Sequence, residues 1–181
     1  MGKIIVEKLQ EDVPKGSFYC GNGSIERMIE DSYFVTQLQH AFAFKVYDDR
    51  NYIIGYYMIT FQEVWLSEFT QEEIREYYSE NYFGNRDNGK IPVIYIRYIA
   101  IDKALQGRGL GTWLLGYIIT EVKRLIENGW PVRLIILSAL KEKYNWYLRN
   151  GFQAIREEDL QNQEETIKMF MDMLQDKQLY N

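Results

Sequence analysis

Apolar and polar positions alternate over residues 3–9, as in a strand with one buried face, and the period then changes. Gly21, Asn22 and Gly23 signal a turn and Ser24 stands where an N-cap belongs. Ile25, Met28, Ile29 and Tyr33 then share one face of a predicted helix. Residues 41–47 and 52–61 are rich in aromatic and β-branched side chains. Asp48, Asp49, Arg50 and Asn51 between them favour a turn, so the two runs predict a hairpin. Gly55, inside the second run, predicts a bulge or a close backbone approach. Thr70, Gln71, Glu72 and Glu73 match a capping box for a helix reaching Asn81, and residues 84–89 read as a polar loop.

Pro92 opens a nearly continuous apolar run over 93–101, the pattern of a central strand covered on both faces. Leu110, Leu114, Leu115, Ile118, Ile119, Val122, Leu125 and Ile126 make a broad stripe, predicting a long helix over 109–128 that Gly129 and Pro131 end. Residues 132–137 form a second buried strand, so 93–137 reads strand, glycine turn, helix, strand, which implies a parallel pair joined by a right-handed crossover. A short helix over 141–149 stops at Asn150 and Gly151, and 152–155 follow as a strand. In the tail, Ile167, Met169, Met171 and Met173 alternate, while Ile167, Phe170, Met171 and Leu174 also fit a helix; periodicity leaves both open.

The 181 residues suit one core, so a single domain over 1–181 is expected. A net charge of −5 argues against a protein that coats nucleic acid. No apolar run approaches the ~20 residues needed to span a bilayer, and residues 1–6 lack a signal-peptide layout, so the expectation is cytoplasmic with no membrane partner. Cys20 is the single cysteine and His40 the single histidine, which suits a reducing compartment and leaves no zinc cluster to build; both read as structural. The 15 Tyr, 9 Phe and 4 Trp are compatible with a homodimer.

The chemistry gathers around Gln106-Gly107-Arg108-Gly109-Leu110-Gly111-Thr112, between the strand ending at Ile101 and the long helix. Glycines let a backbone approach a ligand with positive φ, and the first-turn N–H groups of a helix point outward at its positive end, so the arrangement suits phosphate. The spacing fits neither GxxxxGK followed by Ser or Thr nor GxGxxG. Gln106, Gly109 and Gly111 instead match Q/R-x-x-G-x-G/A, and Trp146-Tyr147-Leu148-Arg149-Asn150-Gly151-Phe152 matches an aromatic-Tyr-x-x-x-Gly-Phe segment downstream. On these two motifs the chain resembles the GNAT superfamily of N-acetyltransferases, best over residues 95–152.

The resemblance implies an α/β (α+β) fold: a mixed, mostly antiparallel sheet of six to seven strands flanked by helices and splayed between the fourth and fifth, with acetyl-CoA in the opening. It puts the backbone of Ile99, Ala100 and Ile101 along the pantetheine and Gln106, Gly107, Arg108, Gly109, Leu110, Gly111 and Thr112 on the pyrophosphate. It also favours a strand over 166–173. Tyr147 takes the role of general acid toward the CoA sulfur. The strand over 93–101 lacks the Glu that many relatives carry and offers Tyr95 and Arg97 instead; Glu63 is a candidate base, and deprotonation by water with no dedicated base is the alternative. The implied reaction moves an acetyl group from acetyl-CoA directly to a primary amine of a small molecule or peptide. Phe18-Tyr19-Cys20-Gly21-Asn22 is similar to a Phe-x-Cys-Gly-Asn segment of GNAT toxins, which acetylate aminoacyl-tRNA. A tRNA partner follows only on that alternative, against which the net charge speaks. A non-catalytic acyl-CoA-binding module is the third reading. Glu157, Glu158, Asp159, Glu164 and Glu165 would attract a cationic amine if they bordered the cleft.

Overall fold

The computed structural model describes residues 2–81 and 89–173, so of the predicted loop only Gly89 is included, and Leu174 of the tail stripe lies outside. The elements in chain order are β1 (Ile4–Lys8), α1 (Gly23–Glu30), α2 (Ser32–Gln37), β2 (Phe42–Asp48), β3 (Ile53–Trp65), α3 (Glu72–Asn81), β4 (Lys90–Ile101), α4 (Leu110–Glu127), β5 (Leu134–Leu140), α5 (Tyr144–Arg149), β6 (Gln153–Ala154) and β7 (Thr166–Asp172). The seven strands run β1-β2-β3-β4-β5-β7-β6 in one mostly antiparallel sheet, with β4 and β5 the parallel pair. Contacts divide the chain into two compact units, residues 1–60 with 96–122 and residues 61–95 with 123–181.

In the first unit, β1 pairs antiparallel with β2, and β2 with β3. The second pairing slips between Val46 and Tyr47, which face Gly55 and Ile53, so Ile54 is the extra residue of a bulge. Gly55 beside it serves a close approach as well: a Cβ built there would lie 2.1 Å from the Ala100 carbonyl oxygen. Asn51 turns the hairpin at φ 63, and the Asp48 carboxylate accepts from the Arg50 and Tyr52 N–H groups, both at 2.9 Å.

The helix start differs from the sequence expectation. Asn22, not Ser24, is the N-cap: its side-chain oxygen accepts from the Ser24 and Ile25 N–H groups at 3.1 Å, so α1 begins two residues early. A short second helix, α2, also follows the break at Asp31. Ser32, buried at the break, donates to the Met28 carbonyl at 2.6 Å and lies 2.6 Å from the Tyr98 hydroxyl. A side chain that bonds the preceding turn and a β4 phenol competes with a straight helix. Leu9, Phe18, Ile29, Ala43, Tyr56 and Ala100 are among the core residues of this unit.

In the second unit, β7 pairs antiparallel with β5 from Leu134↔Asp172 to Leu140↔Thr166 and carries β6 on its other side. The tail is therefore a strand. The Thr70 hydroxyl donates to the Ile155 carbonyl at 2.8 Å, and α3 begins at Glu72, so Thr70 is not the helix cap the capping-box pattern predicts. The Gln71 amide donates to the Ala154 carbonyl at 2.9 Å and secures the same segment. Leu66, Phe69, Ile91, Val93, Leu134 and Phe170 anchor this core, with Phe69 and Phe170 edge to face at 5.5 Å. β5 begins two residues later than expected, and β4 two residues before Pro92.

Candidate active site

The glycine turn stands in the first unit. Gly107 and Gly109 adopt φ 76 and φ 80, the left-handed region that a side chain strains, and a Cβ at either would meet nothing within 4 Å. The first bond of α4 runs from the Trp113 N–H to the Gly109 carbonyl at 3.0 Å, so the Leu110 and Gly111 N–H groups precede the ladder, at the helix's positive end. Leu110 is buried and fixes the helix start. Open space over left-handed glycines, with helix-start donors behind them, fits a pyrophosphate. A cavity of about 400 Å³ lined by Gly2, Ile4, Arg108, Gly109, Leu110 and Trp113 opens beside the turn, large enough for part of a nucleotide.

Upstream, Ile99 is half-buried while Ala100 and Ile101 are buried at the end of β4. The Gln106 side chain does not reach out toward a ligand. Its amide donates to the Cys20 carbonyl at 2.8 Å and to the Ile101 carbonyl at 3.0 Å, so its contribution is to hold the turn.

Tyr147 belongs to the second unit. α5 presents it between Trp146, ring centroids 4.6 Å apart, and Phe152, 5.6 Å apart, both edge to face. Gly151, at φ 87, ends the helix, and the Phe152 N–H donates to the Tyr147 carbonyl at 3.1 Å. Among the described residues the Tyr147 hydroxyl has no hydrogen-bond partner, and desolvation pushes its pKa up to about 12. Such a phenol stays protonated, and so remains a donor, throughout the physiological range.

Glu63 lies within β3 rather than past its end, exposed between exposed Phe61 and Trp65. His40 is exposed, and its recorded bonds are made by its backbone: the N–H donates to Val35 and the carbonyl accepts from Thr60 at 2.7 Å. Cys20 is buried, with desolvation raising its thiol pKa, which removes it as a nucleophile. In the acidic segment, Asp159 and Glu164 border a polar cavity of about 290 Å³ shared with Arg156 and Lys168, and Lys168 pairs with Glu68 at 2.7 Å. The mixed signs there make it no simple cation trap. The Tyr95 hydroxyl lies 2.6 Å from the Ser138 hydroxyl, tying β4 to β5. Sequence reasoning missed Glu26, whose carboxylate accepts from both the Cys20 and Gly21 N–H groups at 2.9 Å. An acid in the first turn of a helix was the available signal.

Known structures share this architecture from end to end. AtaT complexed with acetyl-methionyl-tRNAfMet is 16% identical at a TM-score of 0.75, covering 99% of this chain and 100% of that one. A tyrosine-to-phenylalanine variant of KacT is 18% identical at 0.74, covering 98% and 99%. AtaTR bound with AcCoA is 18% identical at 0.72, covering 98% of each. At such identities the likeness concerns the fold. No helix among the described residues is long and apolar enough to cross a membrane. Residues 40–154, well over half of the chain, match the family model described as an acetyltransferase (GNAT) domain, and the protein is thus a GNAT-type N-acetyltransferase.

Proposed function

We propose that this single-domain enzyme transfers the acetyl group of acetyl-CoA directly to the α-amino group of an aminoacyl-tRNA. The cofactor half rests on the open, left-handed Gly107 and Gly109 at the start of α4. Their turn holds the pyrophosphate, Arg108 and Trp113 border the nucleotide end, and the backbone of Ile99 to Ile101 lines the pantetheine. The two compact units alternate twice along the chain, so no single cut separates them, which supports one domain.

The acceptor half rests on local charge. Residues 97–112 carry Arg97, Lys103 and Arg108 against Asp102, and residues 141–151 carry Lys141, Lys143 and Arg149 against Glu142, whereas the whole chain has a net charge of −5. Of the six cations all but Lys141 are exposed. Clusters of this sign on the two motif-bearing segments suit a phosphate backbone and answer the objection from net charge. That related folds include a toxin bound to acetyl-methionyl-tRNAfMet supports the same choice.

In the reaction, the neutral amine attacks the acetyl carbon, gives up its extra proton, and the C–S bond breaks. Tyr147 donates its phenolic proton to the departing sulfur and is reprotonated by water. Because the phenol is held up to about 12, kcat should show no descending alkaline limb before about pH 10.5. A fall centred near pH 9 would remove Tyr147 as the acid. Glu63, exposed on β3, is the remaining carboxylate candidate for accepting the amine proton, but water can do the same. Glu63→Gln should therefore lower kcat less than about threefold, and a hundredfold loss would make Glu63 the base. For the cofactor, calorimetry should find CoA bound at least about 100-fold more tightly than pantetheine, which lacks the pyrophosphate. Equal affinities would take the turn out of the site.

A further inference from the structure

We propose that Glu26 is a positioning residue for the phosphate-binding turn, acting through the Cys20-Gly21 backbone and the Gln106 amide. The inference rests on the acetyl-CoA reading above. Glu26 leaves the first turn of α1 and takes both the Cys20 and Gly21 N–H groups on one carboxylate oxygen, each at 2.9 Å. Asn22 caps the helix just after them. With its two neighbouring N–H groups fixed, the Cys20 peptide has one orientation, and its carbonyl meets the Gln106 amide at 2.8 Å. The same amide reaches the Ile101 carbonyl at 3.0 Å, so both of its protons are engaged, one on the α1 approach and one on the end of β4.

A parallel strut reinforces the link: the Lys103 N–H donates to the Tyr19 carbonyl at 2.9 Å. The left-handed turn starts at Gly107, the residue after Gln106. Its upstream end is thus held by a chain of bonds that begins at Glu26, and its downstream end by buried Leu110. Donors held in place before the ligand arrives bind it without an ordering penalty. Desolvation acts to raise the Glu26 pKa, but the combined donation from the Cys20 and Gly21 N–H groups outweighs it and keeps the carboxyl below its ordinary value. The Cys20-Gly21 backbone thereby acquires a role in cofactor binding that its distance in sequence from the turn conceals.

The test is calorimetric titration of the full chain with CoA, together with thermal melting of each variant. Glu26→Ala should weaken CoA about tenfold, and Glu26→Gln, which keeps an acceptor oxygen, should restore binding to within about threefold. Asn22→Ala removes the helix cap without touching the Gln106 acceptors, so it should lower the melting temperature while changing CoA affinity less than about twofold. Glu26→Ala combined with Gln106→Ala should be no worse than Gln106→Ala alone, because the two residues act in series. If Glu26→Ala does not fold, Glu26→Asp, with a shorter reach, takes its place and should weaken CoA by at least about threefold. Unchanged affinity in the Glu26 variant, equal weakening by Asn22→Ala, or losses that multiply in the double variant would each overturn the inference. Failure of the unmodified chain to bind CoA would instead overturn the cofactor reading, and this inference with it.

Discussion

Tyr147→Phe should lower kcat by about 100-fold or more while leaving the acetyl-CoA dissociation constant within about threefold. The ring is gripped edge to face by Trp146 and Phe152, contacts that phenylalanine reproduces, so the fold should not register the change. The hydroxyl has no partner among the described residues and gains none from packing, so its loss removes a proton donor without leaving a buried group unsatisfied. A hundredfold loss corresponds to about 2.7 kcal/mol of transition-state stabilisation, reasonable for a general acid at a thiolate leaving group. The melting temperature should move by less than about 2 °C. A kcat within fivefold of the unmodified enzyme would take Tyr147 out of the chemistry.

Gly55→Ala should be the most destabilising single-methyl change in the sheet. The new Cβ would sit 2.1 Å from the Ala100 carbonyl oxygen and 3.2 Å from its carbonyl carbon, atoms of the neighbouring strand's backbone that cannot rotate aside. The strands must separate, disturbing β4 one residue from Ile101, where the turn is anchored. A loss of about 3 kcal/mol or more is expected, or about 6–12 °C in melting temperature. Gly116→Ala provides the opposite sign within the same chain. Gly116 is exposed inside α4, nothing lies within 4 Å of its built Cβ, and alanine there should stabilise by about 0.5–1 kcal/mol. Urea denaturation of the two variants checks both, and a Gly55→Ala variant as stable as the parent would contradict the close approach.

What could be read from the sequence was mostly what the backbone decides locally. The glycine turn, the stripe of α4, the hairpin turn at Asn51 and the stops at Gly129 and Gly151 each follow from a few neighbouring residues. Gly55 is legible as a sign of a bulge or a close approach because a glycine in a β-rich run has few other uses; it makes the close approach and stands beside the bulge at Ile54. The misses have tertiary causes. Ser24 and Thr70 are good cap residues, but Asn22, two residues earlier, takes the cap of α1, and Thr70 finds an acceptor at Ile155, 85 residues away. The break at Asp31 answers to Tyr98, which no local pattern around Ser32 reveals. The tail is ambiguous by periodicity because buried apolar residues stand on both faces of β7, Ile167 and Met169 on one and Phe170 on the other, and only the family resemblance favours a strand.

In the candidate site the same division holds. Motif spacing points to Gly107, Gly109 and Tyr147, and the left-handed φ of the two glycines agrees with what a turn of that spacing requires. Motif spacing also points to Gln106, but not to the bonds its side chain makes with the carbonyls of Ile101 and of Cys20, the latter 86 residues away. Net charge is likewise an average: −5 over the whole chain coexists with two short segments of the opposite sign.

Radiolabelled transfer tests the proposed acetylation of aminoacyl-tRNA by acetyl-CoA. The chain is incubated with acetyl-labelled acetyl-CoA and either charged or deacylated tRNA, and the label is followed into acid-precipitable tRNA. Label is expected only on charged tRNA, released by mild base as an N-acetylamino acid, and is expected to be lost in the Tyr147→Phe variant. Label on free amines or peptides with none on charged tRNA would contradict it.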